Sequence, residues 1–389
     1  MKFLKIFKTA GRLACCLAAA LTALGGTRLA AGQSVNLNEK DIVWNMPAYE
    51  KTKPTALIIA DPKSTEMFDM LAPFYIFSST GKMNVFIVSK EKAPVLIKKD
   101  LYVLPQLSFK QADSLGLTAS VIVVPALSKR DDKQDPAVVS FIKDHYAGTT
   151  RLLAVCDGAS TAAATGLYDG LPITCHASDF AMVSSHFSKP QWIKDVTVAH
   201  SGNLYSTAGV SNAVEGSLTV IDDLFGPEVM KTAAAAISYP HPEILTAHQS
   251  TAIKFDSEFN SAIKPVSSQN RKLGIFLQNG IDEFELVSIL DTYGRSFPKV
   301  IKGYTSDGMP VHTRYGLTIL STGDNDPSKA DEIHLLSASG QSAPSGFGKA
   351  VLVTYDQKGQ YPIDVCLKRI GELYGSPFQN IVKLMLDYN

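Results

Sequence analysis

Leu152-Leu153-Ala154-Val155-Cys156-Asp157-Gly158-Ala159-Ser160 is the stretch on which the reading of this chain turns. An apolar run ends at a cysteine, and small residues follow at once. The pattern predicts a strand, a tight turn and the start of a helix. A nucleophile on such a turn stands at the carboxyl edge of a sheet, beside the backbone N–H groups of the helix start. Those groups favour a thiolate over a thiol, and the thiolate is the reactive form. Cys156 is therefore the candidate reactive atom. The alternative is a buried structural cysteine, because free cysteine is among the most buried residue types.

Outward from the turn, strand-like and helix-like segments alternate. Ala56–Ala60, Val85–Val88 and Val121–Val124 are short apolar or β-branched runs. Glu66–Ser79 carries Met67, Met70, Leu71 and Phe74 at helical spacing, and Ala137–His145 is also helix-like. Alternation at these lengths predicts an α/β fold, a parallel sheet covered by helices on both faces. Ligands of such sheets bind outside the carboxyl ends of the strands, where Cys156 belongs.

The chain has 389 residues, with 37 basic and 37 acidic side chains. Its length accommodates two domains, and its balanced charge gives no footprint for nucleic acid. Lys2, Lys5, Lys8 and Arg12 precede a short apolar run, Leu13–Leu24, and then Ala30-Ala31-Gly32. That is the pattern of a cleaved signal peptide over residues 1–32, and it predicts an exported protein without a stable membrane span. Beyond it remain Cys156, Cys175 and Cys366, too few for a disulfide framework. No glycine-rich phosphate loop follows a strand, and no His, Cys or acid spacing makes a metal site, so no cofactor is expected.

The sequence also repeats. Residues 56–79 and 272–295 align without a gap, pairing Leu57 with Leu273, Phe68 with Phe284 and Asp69 with Glu285. A second match pairs Val214–Pro227 with Ile363–Pro377, at an offset smaller by 67 residues. The expected organisation is a domain over 55–240, a linker over 241–271, and a smaller copy over 272–389 that lacks the elbow cysteine and its helix. The second copy is expected to serve as a structural partner, in an internal pseudo-dimer or a homodimer.

Four segments resemble the ThiJ/PfpI family, which has the class I glutamine-amidotransferase-like fold. They are Phe68-Asp69 through Phe77, Val155-Cys156-Asp157-Gly158-Ala159 with Thr165–Gly170, Ile173-Thr174-Cys175-His176, and Ser206-Thr207-Ala208-Gly209-Val210-Ser211. They lie in family order across residues 55–240. The resemblance implies a flavodoxin-like three-layer sandwich for both copies, the second one pared down. It makes Asp69 the acid that approaches Cys156, either holding a proton toward the thiolate or shuttling it. It places His176 where it could polarise or deprotonate the thiol, the alternative being a histidine that only bonds its strand end. The N–H groups of Asp157 and Gly158 are expected to hold a developing anion. The chain departs from the family at Val124-Pro125-Ala126-Leu127, where a Gly-Gly pair often follows the proline, and at Ala177, where a tryptophan is usual. A Cys156–Cys175 disulfide is disfavoured, since neighbouring strand residues face opposite ways. Glu285 has no cysteine partner. Two functions remain open at this stage. One is a cysteine-dependent hydrolase or lyase acting on a small uncharged electrophile; the other is a periplasmic small-molecule or oxidant sensor.

Overall fold

The computed structural model describes residues 47–128, 133–241, 243–244, 247–322, 325–337, 347–355 and 359–388. The expected signal segment lies outside these residues. The strands are β1 (Thr55–Ala60), β2 (Asn84–Ser89), β3 (Val95–Lys98), β4 (Leu101–Val103), β5 (Leu107–Ser108), β6 (Ala119–Val124), β7 (Arg151–Ala154), β8 (Pro172–Ile173), β9 (Gln191–Trp192), β10 (Val198–Ser201), β11 (Leu204–Thr207), β12 (Lys272–Phe276), β13 (Val300–Tyr304), β14 (Val311–His312), β15 (Thr318–Ser321), β16 (Glu332–Leu335) and β17 (Val351–Thr354). The helices are α1 (Met67–Ser79), α2 (Phe109–Ser114), α3 (Pro136–His145), α4 (Gly158–Ala164), α5 (Phe180–His186), α6 (Ala213–Phe225), α7 (Pro227–Ala236), α8 (Ser257–Ser267), α9 (Glu283–Gly294), α10 (Pro362–Tyr374) and α11 (Ser376–Leu386).

The first half is an α/β unit around a seven-stranded sheet of order β10-β11-β7-β6-β1-β2-β5. All neighbours run parallel except β10, which is antiparallel to β11. Central strands of such sheets are covered on both faces and read as continuous apolar runs. β1 fits, with all six residues buried. From β1 the chain winds one way to β2 and β5, and the other way to β6, β7 and β11. The crevice at the carboxyl ends of β1 and β6 is the topological switch point, where ligands of open α/β sheets bind.

The second half is a smaller α/β region around a four-stranded sheet of order β13-β12-β16-β17, parallel throughout. In the first sheet, β2-β1-β6-β7 occupy the same succession. The register extends the match. Ile58 of β1 pairs with Val123, which pairs with Leu153. Gly274 of β12 pairs with Ile333, which pairs with Leu352. Cys156 lies three residues beyond Leu153, and Tyr355 lies three beyond Leu352. Tyr355 thus holds the register position of the elbow cysteine. The second half also lacks a counterpart of α4 between β17 and α10 among the described residues.

α1 and α9 pack against each other and join the halves. A helix hydrophobic all round must be buried all round. Eleven residues of α1, Met67 through Phe77, are buried, and so are eleven of α9, Glu283 through Tyr293. Phe68 and Phe284 meet edge-on at 5.8 Å between ring centroids, a geometry worth about 0.5–1.5 kcal/mol beyond burial. A further four-stranded sheet, β14-β15-β4-β3, takes two strands from each half. The linker over 241–271 is more structured than its polar composition implies, because α8 forms within it. Asp256 caps that helix by accepting from the N–H groups of Glu258 and Phe259. The Ile173–His176 segment is strand only at Pro172–Ile173, where it pairs with β9 outside the main sheet.

Candidate active site

Cys156 lies two residues beyond the end of β7, at φ +54°, a conformation unusual for a residue with a side chain. Its backbone is fixed from three sides. Val155 N–H donates to Val124 O at 2.9 Å, Gly158 N–H donates to Val155 O at 2.8 Å, and Cys156 N–H donates to Thr207 Oγ1 at 3.3 Å. Gly158 is required by contact rather than by conformation. A Cβ there would lie 1.9 Å from Val124 O. The short Ala-rich helix α4 therefore sits directly against the end of β6. This is the expected elbow, with one correction. The Gly158 N–H is committed to Val155 O and is not available as an anion donor, so the expected backbone donation falls on Asp157.

Asp69 is in the first turn of α1 and is fully buried. Its Oδ2 accepts from Ala126 N–H at 3.0 Å, which ties α1 to the chain just beyond β6. Ala126 thus takes the place of the usual Gly-Gly pair with its own N–H turned to a carboxyl group. Asp69 Oδ1 is buried without a hydrogen-bond partner among the described residues. Burial, then the charge of Glu66, push the Asp69 carboxyl well above its usual range, although the Ala126 N–H works the other way.

His176 is buried and lines the same cleft as Cys156 and Asp157. Its Nδ1 accepts from Ser178 N–H at 3.2 Å. When neutral, the ring accordingly carries its proton on Nε2. Cys175 is buried among apolar residues, and burial, then Asp157, raise its thiol well above the ordinary value. It is a structural thiol, and Cys156, Cys175 and Cys366 form no disulfide.

The cleft above Cys156 has a volume of about 130 Å³, room for a small ligand. Its walls come from the whole chain. Glu66, Asp157, His176 and Asp179 belong to the first half, Ile253 and Phe255 to the linker, and Asp291, Arg295 and Met385 to the second half. The second half, expected from sequence as a structural partner, thus also supplies part of the cleft wall. Glu66, Lys98, Asp291, Arg295 and Thr207 were not anticipated as site residues. Glu66 left a local signal as the first residue of the predicted helix, and Thr207 lay within the quoted Ser206–Ser211 segment without a role of its own. Glu66 caps α1, with Oε2 accepting from Asp69 N–H at 2.7 Å. The Ser206–Ser211 turn docks the chain's end. Ser211 N–H donates to Leu386 O at 3.0 Å, and Ser211 Oγ donates to Asp387 O at 2.9 Å.

In the second half, Glu285 Oε2 and Oε1 accept from Ser337 N–H at 3.0 and 3.1 Å, much as Asp69 accepts from Ala126. Where the first site has its thiol, this one has Tyr355, whose hydroxyl is 2.7 Å from His334 Nδ1.

A parallel α/β sheet with a cysteine on a strained strand–helix turn, and a buried acid held across the neighbouring strand end, defines an elbow-type thiol site. Residues 54–223 are a DJ-1/PfpI family domain, the family whose pattern they match. The chain is 25% identical over 186 residues to the Parkinson disease protein 7 homolog of Danio rerio, across 47% of this chain and 95% of that protein. It is 24% identical over 189 residues to the isonitrile hydratase of Pseudomonas putida, across 48% of this chain and 80% of that protein. The crystal structure of Drosophila melanogaster DJ-1beta superposes with a TM-score of 0.43 at 21% identity, over 49% of this chain and all of that one. A ThiJ/PfpI family protein from Pseudomonas syringae superposes with a TM-score of 0.43 at 18% identity, over 62% of this chain and 95% of that one. Among the described residues, no helix is long and apolar enough to cross a membrane.

Proposed function

We propose that this is an exported, cysteine-dependent hydrolase or lyase, hydratase-like in its chemistry, acting on a small uncharged electrophile. The observation that carries the reading is Cys156 at positive φ in a small cleft, with the buried carboxyl of Asp69 anchored to Ala126 of the cleft wall. In the proposed step, Cys156 Sγ forms a bond to an electrophilic carbon. The π electrons of that carbon move to its heteroatom, which takes the proton from Asp69. Water then adds to the same carbon, the C–S bond breaks, and a proton returns to Asp69. Asp157 N–H steadies the developing anion, and His176 orients the water or the thiol. The acids in the cleft, Asp157, Asp179 and Asp291, argue for an uncharged substrate over an anionic one.

The N-terminal pattern supports export, and the shared strand order and register support descent of the two halves from one duplicated unit. The closure of linker and second half over the thiol, which leaves Cys156 4% exposed, favours a second reading as an oxidant sensor. A peroxide reaches such a thiol more easily than a bulky substrate does, and oxidation would then replace turnover. Alkylation of Cys156 across pH, followed by mass spectrometry, tests both. An apparent pKa at or above about 8.5 refutes an activated thiol. A low value with stable sulfinate and no turnover selects the sensor.

A further inference from the structure

Arg295 follows α9 in the second half, yet its guanidinium lines the Cys156 cleft and is 6% exposed. Nε and Nη2 donate to Asp291 Oδ2 at 3.2 and 2.8 Å. Nη2 also lies 3.7 Å from Glu66 Oε1, across the boundary between the halves. The other oxygen of Glu66 accepts the Asp69 N–H. A continuous line of contacts therefore runs from the second half, through Glu66, to the acid beside the elbow. Lys98, on β3, is packed so closely on α9 that a Cβ at Gly294 would lie 2.6 Å from its Nζ.

We propose that Arg295 is a positioning residue of the Cys156 site, holding Glu66 as the carboxylate so that the single proton of the Glu66–Asp69 pair resides on Asp69. This deepens the reading of Cys156 as a reactive thiol. Two buried carboxyl groups that raise one another resist double ionisation, and they titrate as a pair. The environment then decides which one is charged. Glu66 has the guanidinium on one oxygen and a backbone N–H on the other. Asp69 has one N–H and a second oxygen with no hydrogen-bond partner, which is where the proton belongs. Burial and then Asp291 raise Glu66 to about 7, against the pull of Arg295, the Asp69 N–H and Lys98. The groups facing the pair are thus Asp157, Asp291, Lys98, Arg295 and the thiol of Cys156, whose ionised form acts on Arg295 in turn. Removing Arg295 leaves Lys98 to oppose Asp291 and strips Glu66 of the cation that faces its Oε1.

Infrared spectroscopy of the whole protein tests this, by following the carbonyl band of protonated carboxyl groups across pH. The expected result is a band at neutral pH that Asp69→Asn abolishes, and a second band, abolished by Glu66→Gln, that grows in on acidification. In Arg295→Gln the midpoint of the Glu66 band should move upward by about one pH unit or more, since an opposite charge at this range lowers a carboxyl by about 1–3 units. Arg295→Lys should restore most of the wild-type position. Arg295→Gln combined with Asp291→Asn avoids a buried unpaired acid and should keep the upward shift if the cation is the cause. Bands that coincide with wild type in both folded Arg295→Gln variants overturn the proposal. A neutral-pH band that disappears with Glu66→Gln instead of Asp69→Asn also overturns it. The same measurements in Cys156→Ala do not depend on thiol chemistry. An unreactive Cys156 with the expected bands would refute the proposed function and leave the role of Arg295 standing.

Discussion

Replacing Gly158 by alanine tests the geometry of the elbow directly. The added Cβ would lie 1.9 Å from Val124 O and 2.8 Å from both the carbonyl carbon and the oxygen of Pro125. All three neighbours are backbone atoms, so no side chain can swing away. Val124 O already accepts Val155 N–H at 2.9 Å, and moving it would break the β6–β7 junction. The helix must shift instead, which drags Cys156 and loosens the Thr207 bond. Overpacking of a tight core costs about 1–3 kcal/mol, and the backbone clash places this change at about 3 kcal/mol. For a unit of this size, a loss of that order lowers the melting temperature by roughly 6–12 °C. The assay is thermal unfolding followed by near-UV circular dichroism, with alkylation of Cys156 on the folded protein alongside. Both stability and thiol reactivity should fall. Gly158→Ala with wild-type melting and wild-type alkylation would refute the close approach of α4 to β6, and with it the account of why a glycine follows Cys156-Asp157.

Asp69→Asn should lower turnover, or the alkylation rate at neutral pH, by about a hundredfold, as loss of a general acid does; stopped-flow alkylation measures it. Glu285→Gln should leave that rate within about twofold, because its carboxyl is held by Ser337 in the second half, and an equal loss in the two variants would refute the assignment of the chemistry to the first site. Cys156→Ala should abolish thiol-dependent chemistry while changing stability by about 1 kcal/mol, the scale of one small buried group. Stability should pass through a maximum in mildly acidic solution. Burial raises Glu215 to about 7 despite the Tyr239 hydroxyl, and raises Glu285 to about 7 despite Ser337. Their folded values exceed the unfolded ones, so that contribution is complete below about 4.5 and is lost as pH rises through 7. Burial also pushes Glu332 up, but His334, Arg369 and Arg271 outweigh it and hold it at about 2. Its contribution is present above about 4.5 and is lost as pH falls toward 2. Chemical denaturation at a series of pH values should show the maximum between these limits, and Glu215→Gln should flatten its alkaline side.

The elbow was legible because everything it needs is contiguous: an apolar run, a cysteine, then glycine and alanine. The acid at Asp69 was legible through its place on a helix just after a strand. The Gly158 N–H was misassigned because sequence shows a helix start but not the turn bond to Val155 that precedes it. Arg295 and Asp291 were out of reach for a different reason. A charged residue in the last turn of a helix is ordinary, and nothing within the second half says that this end of α9 will face Glu66. The repeat between the halves hinted that α1 and α9 are alike. That like helices would pack on one another follows only from their both being buried all round. β3 and β4 were missed because such short strands carry little periodic signal, and their partner β15 lies in the other half.

The antiparallel sheet shared by the two halves sets an order on how the molecule can be assembled. Val103 pairs with Ile319, and Tyr102 with Leu320, so the β3–β4 hairpin keeps an open edge until nearly the whole chain has been made. The first half emerges from synthesis with that edge unpaired and with one face of α1 awaiting α9. An open strand edge and an exposed apolar helix are what chaperones bind and what aggregation exploits. The cost is one of time: the contact that closes the sheet is among the most distant in sequence, and such contacts form slowly. A chain stopped before β15 would therefore carry the β3–β4 edge unpaired, and the cleft over the elbow would still wait for Met385, made near the end of synthesis.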